Sequence, residues 1–308
     1  MTVDQEGTQA YLETIKNPKP LNPERAAKRL KEVKQIFDDQ NVTFWLGSGT
    51  CLGCVRENAF ISWDDEMDTA GVIGLHGLTE EIVYQTADAF TQRGFHVRTR
   101  STKRELMVNF VKDGIRTDWT CHRIVDGVAM EFPGVILPLS LFKDLAETEF
   151  VGEKFLLPNP PEEYLKLKYG PDWRTPKGPG FESDVIGQID ANDNLSRMQK
   201  FQRILTAGIL PRPNIQVTIF DRKGEKVPVA NILVAGASNA KTNRYGTARL
   251  FVPDESYYAM VIQYPGHKEV LYEEFLTPGH SYTYRPGPIV TKEEHYKAGV
   301  RAMALVRE

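Results

Sequence analysis

Apolar residues recur at helical spacing just after Asn22-Pro23. Ala26, Leu30, Val33 and Phe37 fall on one face, with Lys and Asp on the other. Asparagine suits the position before a helix and proline its first turn, so a helix is predicted to start there. The apolar run at 42–46 reads as a short buried strand. Gly47-Ser48-Gly49 interrupts it before a second helix over 50–56. Residues 67–73 read as another strand. Residues 79–93 carry Ile82, Val83, Thr86 and Phe90 at helical spacing and end at Gly94. Two β-rich runs, 105–112 and 115–121, flank Asp113-Gly114, a dipeptide that favours a two-residue hairpin turn. A proline-containing stretch follows at 132–138. A short helix is predicted over 161–169, closed by Gly170, and 190–207 has a helical pattern.

Near Pro211 the period changes. IQVTIF (215–220), PVANILVAG (228–236), TARLFV (247–252) and YYAMVIQY (257–264) are short runs separated by polar or proline-glycine turns. That spacing predicts a β-sandwich. The expected fold class is therefore α+β: a mixed sheet with flanking helices over 1–210, then a small all-β sandwich over 211–290. The basic, mixed stretch 291–308 is expected to be a C-terminal helical tail.

Composition narrows the classes. The 308 residues suit two domains, and 41% hydrophobic with 26% charged residues is ordinary for a globular protein. A formal net charge of −3 gives no basic field, so no nucleic-acid partner is expected. No apolar run is long enough for a transmembrane segment. The N-terminal MTVDQEGTQAYLETIKN has no apolar core and does not read as a signal peptide. Cys51, Cys54 and Cys121 are too few for a disulfide framework. The Cys51/Cys54 spacing lacks a second pair or a nearby His, so both read as small buried thiols on a helix. A reducing, cytoplasmic location is the expectation.

The chemistry concentrates in FWLGSGTCLGCVRENAFISWDDEMDTAGV (44–72). Asp64, Asp65, Glu66 and Asp68 place four carboxylates in five positions behind Trp63. Two such charges about 4 Å apart repel by roughly 1–4 kcal/mol, so water, raised pKa values or a cation must offset them. Taken alone, the acids read equally as a solvated acidic turn. Glu66 and Asp68 stand two apart at the start of a predicted strand and so share a face, a pincer for a divalent cation with oxygen ligands. Asp118, inside the half-apolar run IRTDWTC, is the third acid. An EF-hand is excluded: counted from Asp64, its glycine position holds Thr69 and its glutamate position Leu75. Gly47-Ser48, between a strand and a helix, offers backbone N–H groups that suit a phosphate. A phosphate site beside a metal pincer is what a nucleotidyl- or phosphoryl-type transferase needs.

WLGSGTCLGCVRENAFISWDDEMD resembles the LicD/fukutin family of the nucleotidyltransferase superfamily. The shared pattern is a Trp-Leu strand, a Gly-Ser step, Thr-x-Leu-Gly-x-x-Arg, and a Trp-Asp-led acidic run. TDWT (117–120), EFPGVILPL (131–139) and LPNPPEEYLKLKYGPDWRTP (157–176) extend the likeness over about 22–176. The resemblance implies a nucleotidyltransferase-like fold and a Mg²⁺- or Mn²⁺-dependent transferase. Such an enzyme moves phosphocholine or a polyol phosphate from a CDP-linked donor to a glycan acceptor hydroxyl. It assigns catalysis to Glu66, Asp68 and Asp118, with Asp118 also able to take the acceptor proton. Asp65, Glu66, Asp68 and Asp118 are the metal candidates; the family's first paired acid is Asp, so Asp65 and Glu66 both stay open. Gly47, Ser48, Arg56 and Trp63 are the substrate candidates. For Arg56 the alternative is a salt bridge to an acid, and for Trp63 an anchor of the acidic loop.

Other residues carry plainer expectations. RTRSTKR (98–104) reads as a solvated strand end and His122 as an ordinary polar residue. Tyr169, Trp173 and Arg174 either cap the nucleotide or pack the lobe. KTNRYGTARLFVP (241–253) resembles transthyretin-like and carboxypeptidase-regulatory-like modules, with Gly246 at a positive-φ turn. Tyr257, Tyr258 and Tyr264 read as core and cross-strand residues rather than a carbohydrate platform. Such a module is expected to bind acceptor or to support oligomerisation. Two rivals remain: an NTP-using nucleotidyltransferase acting on a small molecule, and a non-catalytic glycan-binding protein with a degenerate first domain. The sequence leaves room for peripheral association with a membrane through a partner.

Overall fold

The computed structural model describes residues 3–16, 18–178, 186, 189, 213–287, 300–301 and 304–308. The chain packs as two compact units, Met1–Met130 with Leu137–Pro176, and Glu131–Ile136 with Lys177–Glu308. The predicted boundary at 211 and the predicted helix over 190–207 lie outside the described residues.

The first unit runs α1 (Val3–Lys16), α2 (Pro23–Asp39), β1 (Trp45–Leu46), α3 (Ser48–Glu57), β2 (Glu66–Val72), α4 (Glu80–Gln92), β3 (His96–Ser101), β4 (Glu105–Lys112) and β5 (Ile115–His122). Then come β6 (Val128–Glu131), β7 (Val135–Pro138), β8 (Ala146–Phe150), β9 (Glu153–Leu157) and α5 (Pro161–Tyr169). The main sheet has the order β1-β2-β5-β4-β3. Its β2–β5 pair is parallel and the others antiparallel, so the sheet is mixed as expected.

Local chemistry explains the elements. The Asn22 side chain accepts the Arg25 N–H at 3.0 Å, with Pro23 in the first turn of α2. Asp113 and Gly114 both take positive φ, 53° and 72°, as a two-residue hairpin turn with right-handed twist requires. The predicted strand 42–46 shortens to Trp45–Leu46, because the Val42 N–H still bonds the Phe37 carbonyl at the end of α2. One sheet face, with Phe110 and Trp119, packs under Phe37 of α2 and Phe90 of α4, and Phe90 stacks on Phe110 at 4.0 Å. All four rings are fully buried, and removing one such ring costs about 3–5 kcal/mol. That rigid apolar layer leaves the opposite face of the same strands for polar side chains.

The second unit contains β10 (Ile215–Ile219), β11 (Asn231–Val234), β12 (Ser238–Lys241), β13 (Thr247–Leu250), β14 (Ser256–Tyr264), β15 (His267–Leu276), β16 (Ser281–Tyr284), β17 (Val300–Arg301) and β18 (Leu305–Arg307). They form two sheets, β13-β10-β16-β18 and β12-β11-β14-β15-β17. Alternate residues of both sheets enter one core, among them Val217, Leu250, Tyr282, Ile232, Met260 and Leu271, which makes a β-sandwich. Gly246 has φ 70°, as its turn demands. Tyr258 is buried, Tyr257 pairs with Phe275 across the strands, and Tyr264 stacks on His267. The expected helical tail needs correction where it is described. Leu305–Arg307 is a strand antiparallel to β16, and the Glu274 carboxylate accepts the N–H groups of Ala304 and Leu305 at 2.7 and 2.9 Å. Two backbone donors bound to a buried acid favour an extended edge over a helix. Among the described residues no helix is long and apolar enough to cross a membrane.

Candidate active site

The parallel register of β2 and β5 places Glu66 beside Arg116 and Asp68 beside Asp118. Paired residues of neighbouring strands share a face, and so do residues two apart. Glu66, Asp68, Arg116 and Asp118 therefore form one block on the face away from Trp119, with strands about 4.8 Å apart. The register continues from Asp118 to Asn109 and on to Arg98, giving a polar row across four strands.

The start of α3 meets this block. The Gly47 N–H donates to the Asp68 carbonyl at 3.0 Å and the Gly49 N–H to the Asp68 carboxylate at 2.9 Å. The Asp68 N–H in turn donates to the Thr50 hydroxyl at 2.8 Å. Asp68 is thus held on three sides, with its negative charge at the positive end of a helix. Side-chain space explains the glycines. A Cβ on Gly49 would stand 2.6 Å from an Asp64 carboxylate oxygen and 3.2 Å from one of Asp68, so both acids converge there. A Cβ on Gly53 would overlap the Ala59 carbonyl, so the Thr-x-Leu-Gly spacing keeps α3 tight against the following loop. Ser48 has φ 35°, and its N–H donates to the Tyr164 hydroxyl of α5 at 2.9 Å.

Arg116 occupies the centre of the other acids. Its guanidinium pairs with Glu66, lies 3.4 Å from Asp65, and approaches Asp118 at 3.9 Å. The Arg116 side chain is only 6% exposed. The Tyr11 ring of α1 sits 5.5 Å from Arg116 and 4.6 Å from Arg98.

The expected site residues are placed as follows. Glu66, Asp68 and Asp118 come together on one face. Asp65 joins them through Arg116. The Gly47 and Ser48 N–H groups, expected to face a phosphate, are bound to Asp68 and Tyr164. Arg56 stands about 12 Å along the axis of α3 from Ser48. It pairs with Glu57 at 2.7 Å and reaches the Trp173 carbonyl at 3.5 Å, so its partner is a neighbouring acid of α3 rather than one of the clustered acids or the α3 N-terminus. Trp63 is half-buried just before the acids. His122 is buried and bonds the Met130 carbonyl at 3.1 Å. The 98–104 segment is less solvated than expected: Arg100 pairs with Glu105, Arg104 is buried and Arg98 stacks on Tyr11. Trp173 is buried with Arg174 over its ring at 4.1 Å.

Among the described residues, no group of three or more His, Cys, Asp or Glu is placed to hold a metal. The donor chemistry suits an oxygen-ligated divalent ion, but the arrangement does not fit one: Asp64 and Asp68 gather at Gly49, while Asp65, Glu66 and Asp118 surround Arg116.

Sequence reasoning missed Arg116, Tyr164, Tyr11 and the placement of Asp64. A signal existed for the first. Arg116 stands two before Asp118, and the period that put Glu66 with Asp68 puts Arg116 with Asp118. Tyr11 had none, since α1 itself was not predicted.

Comparisons with known proteins bear on the same segment. Residues 41–159 match the family described as LicD/FKTN/FKRP, nucleotidyltransferase domain. The chain is 28% identical over 162 residues to the mouse ribitol-5-phosphate transferase FKTN, covering 48% of this chain and 34% of that protein. It is 32% identical over 68 residues to an uncharacterized protein of Rickettsia prowazekii, covering 22% of this chain and 24% of that one. The match thus spans about a third or less of the length of these curated relatives.

Proposed function

We propose that the chain, whose residues 41–159 match the LicD/FKTN/FKRP nucleotidyltransferase-domain family, transfers a polyol phosphate or phosphocholine from a CDP-linked donor to a glycan hydroxyl. The observation that carries this reading is the register of β2 and β5, which sets Asp68 beside Asp118 at the N-terminal end of α3. In the proposed reaction the acceptor oxygen attacks the donor phosphorus farther from cytidine. A new P–O bond forms, the P–O bond to CMP breaks, and CMP leaves. Asp118 takes the proton of the acceptor hydroxyl. Arg98, at the far end of the polar row, favours a negatively charged substrate over a neutral one. Assembly of a surface polysaccharide is the proposed setting, in the cytoplasm.

The test is a donor screen. Purified protein is incubated with CDP-ribitol, CDP-glycerol and CDP-choline, with Mg²⁺, Mn²⁺ or chelator, and CMP release is followed with and without glycan acceptors. CMP release from one donor that rises with acceptor is the expected result. Pyrophosphate release from an NTP instead would turn the reading to a nucleotidyltransferase. No release and no nucleotide-dependent rise in melting temperature would turn it to a glycan-binding protein.

A further inference from the structure

The sheet register puts a buried guanidinium among the acids, and we propose that Arg116 is the resident counter-cation of this site, which a divalent cation can enter only by displacing it. One side chain reaches three of the four acids that the sequence assigns to a metal: Asp65, Glu66 and Asp118. Arg116 and Asp65 are each only 6% exposed at the side chain, so water screens little of this attraction. Without a cation, three carboxylates this close repel one another and shed hydration they do not recover. Arginine stays charged at every working pH, so the compensation is permanent and does not depend on protonation.

The guanidinium is also braced from behind. Tyr11 of α1 lies 5.5 Å from it, and α1 sits against β3, where a Cβ on Gly7 would overlap the Val97 carbonyl. Arg116 is therefore a positioning residue with two neighbours to choose between, the carboxylates in front and the aromatic ring beside it. A divalent ion on Asp65, Glu66 or Asp118 has to take the same oxygens, and two cations repel at that distance. The crowded acids of the sequence and the lack of a three-acid metal group among the described residues then have one cause.

The inference rests on these acids being the working site. Its test uses Mn²⁺ binding without any donor, so failure here is separable from failure of the transferase reading. Mn²⁺ affinity is measured by calorimetry and by electron paramagnetic resonance for the parent, R116M and R116K. Competition predicts that R116M binds Mn²⁺ about tenfold more tightly than the parent, while R116K, which keeps the charge, stays near the parent. R116M should also melt below the parent in chelator and regain the difference with Mn²⁺. Equal or weaker Mn²⁺ binding by a folded R116M overturns the proposal, as does absence of binding in both. Should R116M not fold, the parent decides: the Arg116 Nε–H resonance must shift and exchange faster with water as Mg²⁺ is added. A resonance unchanged by Mg²⁺ overturns the proposal.

Discussion

In the second unit the polar side chains at the sheet edges bind backbone. Glu274 takes two N–H groups of the C-terminal strand, and the Asn243 carboxamide takes those of Tyr245 and Thr247 at 2.8 and 3.2 Å. The Asn214 side chain both donates to and accepts from Val252. In the first unit the corresponding groups bind one another. Asp65, Glu66 and Asp118 converge on Arg116 across two strands, and Asp68 faces a helix terminus. A polar group committed to backbone fixes a turn or an edge and is used up in doing so. Charged groups held mainly by each other can exchange partners without unfolding anything. Side chains of the second unit also bind one another, as His267, Glu269 and Tyr284 do, but Tyr284 is fully buried and that network ties one sheet to the other.

The largest expected effect tests this contrast directly. Asp118→Asn or Asp68→Asn should lower CMP release by about 100-fold or more, the scale of losing a positioned carboxylate. An Asn at 68 keeps an oxygen for the Gly49 N–H, so the melting temperature should stay close to the parent. Glu274→Gln should do the reverse. It leaves turnover unchanged and lowers stability by about 1–3 kcal/mol in a denaturant titration, because one backbone donor loses its charged acceptor. Parent-level turnover in Asp118→Asn, or a turnover defect in Glu274→Gln, would erase the difference between the two units.

Two glycines sharpen it at smaller amplitude. Gly246 combines φ 70° with a Cβ that would lie 2.9 Å from Lys226 Cβ and 3.0 Å from the Val227 nitrogen, so Gly246→Ala meets backbone. It should cost about 1–3 kcal/mol with turnover intact. At Gly49 the nearest atoms are the Asp64 and Asp68 carboxylates, which can swing aside. Gly49→Ala should therefore change stability little and turnover strongly, read by melting and CMP release on the same sample.

The sequence was most legible where the signal is local. Asn22-Pro23, Asp113-Gly114 and Gly246 name their own backbone geometry, and the period-2 argument put Glu66 and Asp68 on one face. It failed where the decisive contact is remote. Ser48 meets Tyr164, 116 residues away, and no spacing rule reports that. Phosphate donors were expected at Gly47 and Ser48 because a strand-to-helix glycine step offers free N–H groups; here Asp68 and Tyr164 take them. The cation nearest the acids was as local as they are: Arg116 stands two residues before Asp118, and the same period of two places it on their face.

The smallest effect concerns the thiols. If partner exchange in the first unit is confined to the sheet face, α3 should be as inert as the sandwich core. Cys51, Cys54 and Cys121 are buried thiols outside any disulfide. Burial pushes the Cys54 thiol from 9.0 up to about 11, against a smaller opposing pull from the Thr148 hydroxyl. Burial likewise raises the Cys121 thiol well above its ordinary value. A rise of two units leaves about 100-fold less thiolate at a given pH near neutrality, so native protein at pH 8 should react with a thiol reagent only as fast as it opens. The raised value also fixes the sign of a stability effect. The folded state favours the neutral thiol, so this contribution is complete below about pH 9 and is lost as pH rises through about 11. Rapid alkylation of Cys54 at pH 8, or its oxidation with Cys51 under mild conditions, would show that α3 shares the reactivity of the sheet face it caps.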